Sequence, residues 1–193
     1  MGKVVYVTGA PASGKSTTTG LLAAMVPGIE RWEYGARLTD HLRREGIDLA
    51  DQNQLRRESS KVALAGTIRE LDRLLLAFVE DRRGGAHVLI DSHPVTKEDY
   101  GFRVTAFSQS DFVRLRPDEI WVLYTTPEVA VSRIRDDPGG RPAIDIETAR
   151  MHTFLQASVA TTYGIIAGCP VHVFDTDRDP DALVRDLAGR LER

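Results

Sequence analysis

Cysteine is almost absent from this chain: Cys169 is the only one in 193 residues. A lone thiol excludes a disulfide framework and a cysteine-built metal site. Its surroundings, "AGCPVHVF", are apolar, so it reads as a small buried side chain rather than a reactive one. A chain without disulfides is expected in the cytoplasm. Long hydrophobic runs are missing too. No stretch approaches the ~20 apolar residues of a membrane span, so no membrane partner is expected. No secretory leader is expected ahead of the first strand. Tyr6 stands where a myristoylation signal needs Ser or Thr. Neither sign of charge dominates: 25 basic residues face 28 acidic ones, for a net charge of -3. Such a surface has no overall attraction for a polyanion, so nucleic acid is not an expected partner.

What remains is an ordinary globular composition, 42% hydrophobic and 27% charged, long enough for one domain over 1–193. "KVVYVTG", "AHVLIDSH", "EIWVLYTT" and "CPVHVFDT" are short β-branched or aromatic runs and predict buried strands. Between them lie helical patterns. "SKVALAGTIRELDRLLLAFVEDRR" places Leu64, Ile68, Leu71, Leu75 and Phe78 on one face. "IDIETARMHTFLQASVATTYGIIAG" does the same with Met151, Leu155, Val159, Tyr163 and Ile166, and Gly168 is its expected stop. "DPDALVRDLAGRLER" predicts a last helix capped by Asp179 with Pro180 in its first turn. Alternating strands and helices imply an α/β fold, a parallel sheet with helices on both faces. Two stretches read as irregular: Ser92 to about Gln109, and "RIRDDPGGRPAID".

One motif carries specific chemistry. Gly9-Ala10-Pro11-Ala12-Ser13-Gly14-Lys15-Ser16 fits G-x-x-x-x-G-K-[ST], between a predicted strand and a predicted helix from Ser16 to about Met25. The glycines let the backbone curl so that its N–H groups converge on phosphates. The helix N-terminus adds a positive dipole end. Lys15 is expected to reach the β- and γ-phosphates of a bound triphosphate. The Ser16 hydroxyl is expected to hold Mg²⁺, with Thr17 adjacent. Asp91, ending the strand "VLIDSH", can orient Mg²⁺ through water or act as a base.

Arg133, Arg135 and Arg141 flank the Pro/Gly-rich segment, a candidate lid at about 134–145. Guanidinium groups stabilise the charge spread over a moving phosphoryl group while a closing loop expels water. Arg133 and Arg141 are the favoured pair; Arg150 is expected on a solvated helix face. Candidate acceptor contacts fall in about 32–60. Arg37, Arg56 and Arg57 can contact a phosphate, and Trp32 and Tyr34 can pack on a base, or each can be ordinary surface or core. A hydroxyl acceptor needs a carboxylate to take its proton, whereas a phosphate acceptor needs charge neutralisation and positioning. Asp91 suits either. A nucleotide-switch or assembly ATPase is a third reading.

The sequence resembles the adenylate kinases of the archaeal and eukaryotic-nuclear type, within the P-loop nucleoside monophosphate kinases. Besides the phosphate loop, the likeness rests on Tyr34-Gly35, "NQLRRE", "VLIDSHPVTKEDYG" with its Asp91-Ser92-His93, "RPDEIWVLYTTPEVAVSRI" and "TTYGIIAG". The resemblance runs in order along nearly the whole chain. It implies a three-layer P-loop NTPase fold with a five-stranded parallel sheet, a short lid and phosphoryl transfer from ATP, with Mg²⁺, to AMP. It implies donor-site roles for Lys15 and Ser16, and the strand-end acid in Asp91. It puts Arg56 and His93 on the acceptor side, and makes Arg133 and Arg141 the lid arginines. The sequence departs from the family at Gln156, where an arginine is frequent, at Arg37, where an apolar residue is common, and in a lid with fewer arginines.

Overall fold

The computed structural model describes residues 2–47, 65–137 and 142–192. Strand β1 (Val4–Thr8) feeds helix α1 (Lys15–Met25), followed by β2 (Ile29–Glu33), α2 (Tyr34–Arg44) and α3 (Ala65–Arg82). Then come β3 (His87–Asp91), β4 (Val95–Glu98), β5 (Gly101–Val104), α4 (Gln109–Leu115) and β6 (Glu119–Tyr124). The chain finishes through α5 (Pro127–Arg135), α6 (Ile146–Ala167), β7 (Val171–Asp175) and α7 (Pro180–Leu191).

Five strands form one parallel sheet in the order β2-β3-β1-β6-β7. Its strands alternate their buried side chains between two helical layers, as the two-residue strand period requires. Val4, Tyr6, Val88, Ile90, Ile120 and Val122 point to the layer of α2, α3, α4 and α6. Val5, Val7, Leu89, Trp121 and Leu123 point to α1 and α7, meeting Leu22, Leu183, Val184, Leu187 and Leu191. The result is a three-layer α/β P-loop fold. β1 is central, with β3 and β6 on either side. The order reverses there, and ligands of such sheets bind beyond the carboxyl ends of the strands at that point.

The caps follow the sequence. Asp179 accepts from the Ala182 N–H at 3.0 Å with Pro180 opening α7, and Gly168 ends α6 in the left-handed region at φ 68. Ile68, Leu71, Leu75 and Phe78 face the core as the spacing predicts, while Leu64 lies outside the described residues. Cys169 is half-buried rather than buried, and burial pushes its thiol pKa up.

Two expectations are corrected. The stretch from Ser92 to Gln109 is not irregular throughout: β4 and β5 pair as an antiparallel hairpin, with Val95 opposite Val104 and Glu98 opposite Gly101. The face of α6 follows the hydrophobic spacing only in part: Tyr163 is buried and Val159 packs against the core, but the buried stripe is otherwise shifted. The buried residues are Ala149, His152, Gln156, Ala160, Tyr163 and Gly164, whereas Met151 is 49% exposed. The reason lies in the partners of this helix. Gly164 lets it approach β7 so closely that a Cβ there would lie 2.3 Å from Val171 Cγ2. His152 reaches the hairpin, its Nε2 standing 3.0 Å from the Val95 carbonyl oxygen, with Phe102 edge-on to its ring at 5.1 Å.

Candidate active site

Sheet register builds the site. Val7 lies opposite Asp91 on β3, so the loop leaving β1 passes directly beside the acid ending the neighbouring strand. Lys15, the first residue of α1, reaches across and donates from Nζ to Asp91 Oδ1. Both side chains are largely buried, at 11% and 14% exposure, so this ion pair is screened far less than a surface pair. Lys15 and Asp91, both candidates from the sequence, are thus in direct contact.

The loop itself has the conformation of a phosphate cradle. Gly14 is left-handed at φ 77, and Ala12, without a glycine's freedom, is held at φ 61. Such strain persists only where surrounding structure enforces it and concentrates at functional sites. Ser13 N–H donates to the Ala10 carbonyl at 3.1 Å, closing the turn. Gly9 has no room for a side chain: a Cβ would stand 2.4 Å from the Leu123 carbonyl oxygen and 2.5 Å from Ser13 Oγ. Pro11, Ser16 and Thr17 are at least partly exposed, leaving the hydroxyls at the start of α1 open to an incoming group. Ser13 Oγ is buried and without a hydrogen-bond partner among the described residues.

Three further side chains hold this loop. Arg133, in the last turn of α5, donates from Nη1 to the Ala12 carbonyl at 3.2 Å and approaches Thr176 Oγ1 at 3.5 Å. Thr176, just past β7, donates its hydroxyl to the Ser13 carbonyl at 2.9 Å or the Tyr124 carbonyl at 3.0 Å. Gln156 of α6 is fully buried and donates from Nε2 to the Gly9 carbonyl at 3.3 Å. Thr176 carried no motif. Its only sequence signal is its place immediately after a strand of a parallel sheet, where ligand contacts collect.

On the other side of Asp91 lie the acceptor candidates. His93 is close to Gly35: a Cβ on that glycine would be 3.9 Å from His93 Cε1. Tyr34 begins α2, but its hydroxyl is committed to Asp72 Oδ1 at 2.7 Å and its ring lies edge-on to Phe107 at 6.0 Å. Burial and the neighbouring carboxylate hold its phenol strongly protonated. Burial pushes the Asp72 carboxyl up to about 6, against the Tyr34 hydrogen bond, which lowers it. Arg37 is not brought to this pocket. Two residues on from Gly35, it points to the opposite side of α2. Its guanidinium stacks on Trp32 at 4.9 Å, and Trp32 is buried in the core. Arg135 pairs with Asp136 and Ser132 at the surface, and Arg150 pairs with Glu147 on a solvated face. Arg56, Arg57 and Arg141 lie outside the described residues.

The residues present fit a triphosphate with Mg²⁺. The cradle excludes side chains at Gly9, and its lysine stands on an acid. Among the described residues no group of three or more His, Cys, Asp or Glu forms a metal cage. Mg²⁺ bound with substrate phosphates needs only one or two protein oxygens, and Ser16 and Asp91 are the oxygens beside this loop that would serve.

The fold and the loop define the class: a P-loop protein with a three-layer α/β fold. A family model described as "AAA domain" matches residues 8–150, and the chain belongs to that family. An adenylate kinase of Methanoculleus marisnigri is 22% identical over 178 residues, covering 90% of this chain and 89% of that protein. The likeness to archaeal adenylate kinases therefore spans both chains. Among solved structures, shikimate kinase from Bacteroides thetaiotaomicron superposes with a TM-score of 0.59 at 16% identity, covering 99% of each chain. A sugar kinase from a Janibacter species gives 0.54 at 16%, over 100% of this chain and 95% of that one. At such identities these structures speak for the fold alone. Among the described residues no helix is long and apolar enough to cross a membrane.

Proposed function

We propose that the protein transfers the γ-phosphoryl group of ATP to a nucleoside monophosphate, with AMP the first candidate. The single observation that carries this reading is the Lys15–Asp91 pair inside a strained, side-chain-excluding loop at the carboxyl edge of the sheet. The match to adenylate kinases along nearly the whole chain supports the acceptor class.

Within residues 10 to 16, Pro11 has no N–H and that of Ser13 is held by Ala10; the remaining backbone N–H groups and the N-terminus of α1 bind the donor phosphates. Lys15 binds them too, exchanging its carboxylate partner for a phosphate. Asp91, released from Lys15, faces the acceptor side where His93 and Gly35 meet. Ser16 and Asp91 would hold Mg²⁺, which when bound neutralises charge on the phosphate oxygens. Arg133, anchored on the Ala12 carbonyl, is proposed to turn from there to the transferring group. Arg141 and Arg56 are proposed to complete the lid and the acceptor pocket.

A hydroxyl-bearing acceptor is the second reading. The buried carboxylate of Asp91 favours it, because a base at that point can take a hydroxyl proton. ADP formation from ATP, measured across AMP, CMP, UMP, GMP, dAMP and hydroxyl-bearing metabolites such as shikimate, separates the two. Turnover with a mononucleotide supports the first reading. Turnover only with a hydroxyl metabolite, abolished in Asp91→Asn, replaces it with the second.

A further inference from the structure

The two helices that flank the candidate lid each hold a carbonyl of the phosphate loop. α5, which enters it, places Arg133 Nη1 on the Ala12 oxygen at 3.2 Å. α6, which leaves it, places Gln156 Nε2 on the Gly9 oxygen at 3.3 Å. Gln156 is an unusual residue to find there. It is 0% exposed, and its second polar atom, Oε1, is buried without a partner among the described residues. A buried amide oxygen left unpaired is unfavourable, and a methionine or leucine would fill the same volume without that cost. What a glutamine adds is the N–H donated to Gly9.

Gly9 is the peptide where direction matters most. It is wedged between the Leu123 carbonyl and Ser13, at the start of the loop whose backbone is read as the anion cradle. Holding its carbonyl toward α6 fixes the rotation of that first peptide and keeps the acceptor oxygen out of the anion cradle.

We propose that Gln156 is a positioning residue of the donor-phosphate site. It orients the first peptide of the loop and ties it to the helix that follows the lid. The inference rests on the phosphate-loop reading. It concerns the phosphates and not the base, so it applies whatever the acceptor is. Together with Arg133 it holds the loop at two carbonyls.

The test uses Gln156→Met, which has similar length and volume and lacks the donor. Affinity for the Mg²⁺ complex of a non-hydrolysable ATP analogue, and for inorganic tripolyphosphate, is measured by calorimetry. The melting temperature of the unliganded protein is measured alongside. The expected result is about tenfold weaker binding of both ligands with an unliganded melting temperature equal to or above wild type, since the unpaired oxygen is gone. Affinity within twofold of wild type overturns the proposal, as does a fall in melting temperature with affinity kept, the mark of a packing role alone. Should Q156M not fold, Gln156→Asn, which withdraws the amide by one methylene, carries the same comparison. A wild-type protein that binds neither ligand refutes the phosphate-loop reading itself, and this inference with it.

Discussion

Replacing Gly9 with alanine adds one methyl group where the structure has least room. The new Cβ would stand 2.4 Å from the Leu123 carbonyl oxygen, and Leu123 belongs to the central sheet. A backbone oxygen in a sheet cannot swing aside as a side-chain tip can. Relief to an ordinary contact of 3.4 Å requires the loop to move by ~1 Å. Overpacking of this kind costs about 1–3 kcal/mol of stability. A domain of this size loses roughly 2–4 °C per kcal/mol. The kinetic cost is larger, because a misplacement of about 1 Å can cost on the order of 10²-fold in rate. Gly9→Ala should therefore weaken MgATP binding and lower kcat/KM for ATP by roughly 10- to 100-fold. Gly164→Ala is the matched comparison. Its Cβ would lie 2.3 Å from Val171 Cγ2, a similar clash between α6 and β7 that does not involve the phosphate loop. It should lower the melting temperature and leave ATP affinity intact. Calorimetry with MgATP and thermal melts on both variants read the difference. Normal ATP affinity in Gly9→Ala, or an equal loss in Gly164→Ala, refutes the idea that the tight packing of Gly9 sets the donor site.

Three further outcomes follow from individual contacts. Arg133→Ala removes the brace on Ala12 and a cation beside the loop, and should cut turnover by ~10²-fold while changing the melting temperature little, as steady-state kinetics and melts will show. Asp72→Asn keeps an oxygen to accept from Tyr34 but removes a carboxylate whose buried charge is disfavoured above about pH 6. A folded-state pKa raised above the unfolded value means stability that is present at low pH and lost as pH rises through 6. The variant should thus be more stable than wild type at pH 8, by on the order of 1–3 kcal/mol, and show no gain at pH 4. His152 has the opposite sign. Burial lowers its pKa, so its stabilising contribution is complete above pH ~6.5 and is lost as pH falls through the depressed value. His152→Gln should flatten the acid side of the melting-temperature profile.

Much of the proposed donor site was legible in the sequence because its parts are local. The loop motif, the strand before it and the helix after it lie within residues 4–25, and Asp91 closes a strand readable from its β-branched run. The caps at Asp179 and Gly168 were legible for the same reason. What was hidden is tertiary. The buried stripe of α6 is His152, Gln156, Ala160 and Gly164, polar or small residues that carry little hydrophobic periodicity. They are buried because the hairpin, the phosphate loop and β7 meet that side. The hairpin of β4 and β5 was masked by short polar strands, "VTKE" and "GFRV", with Gly101 at φ 139 the clearest local sign of its turn. Thr176 and the stacking of Arg37 on Trp32 depend on pairs distant or misleading in sequence. Arg37 sits near Gly35 in the chain and faces away from it in the helix.

The central claim is that the pocket joining Lys15 and Asp91 moves a phosphoryl group from ATP to a small acceptor. The most direct measurement incubates the protein with ATP labelled at the γ-phosphate, Mg²⁺ and AMP, and follows the label. The expected result is label in ADP newly formed from AMP, falling by ~10²-fold or more in Lys15→Ala. Label appearing only as free phosphate, or transfer undiminished in Lys15→Ala, would contradict it.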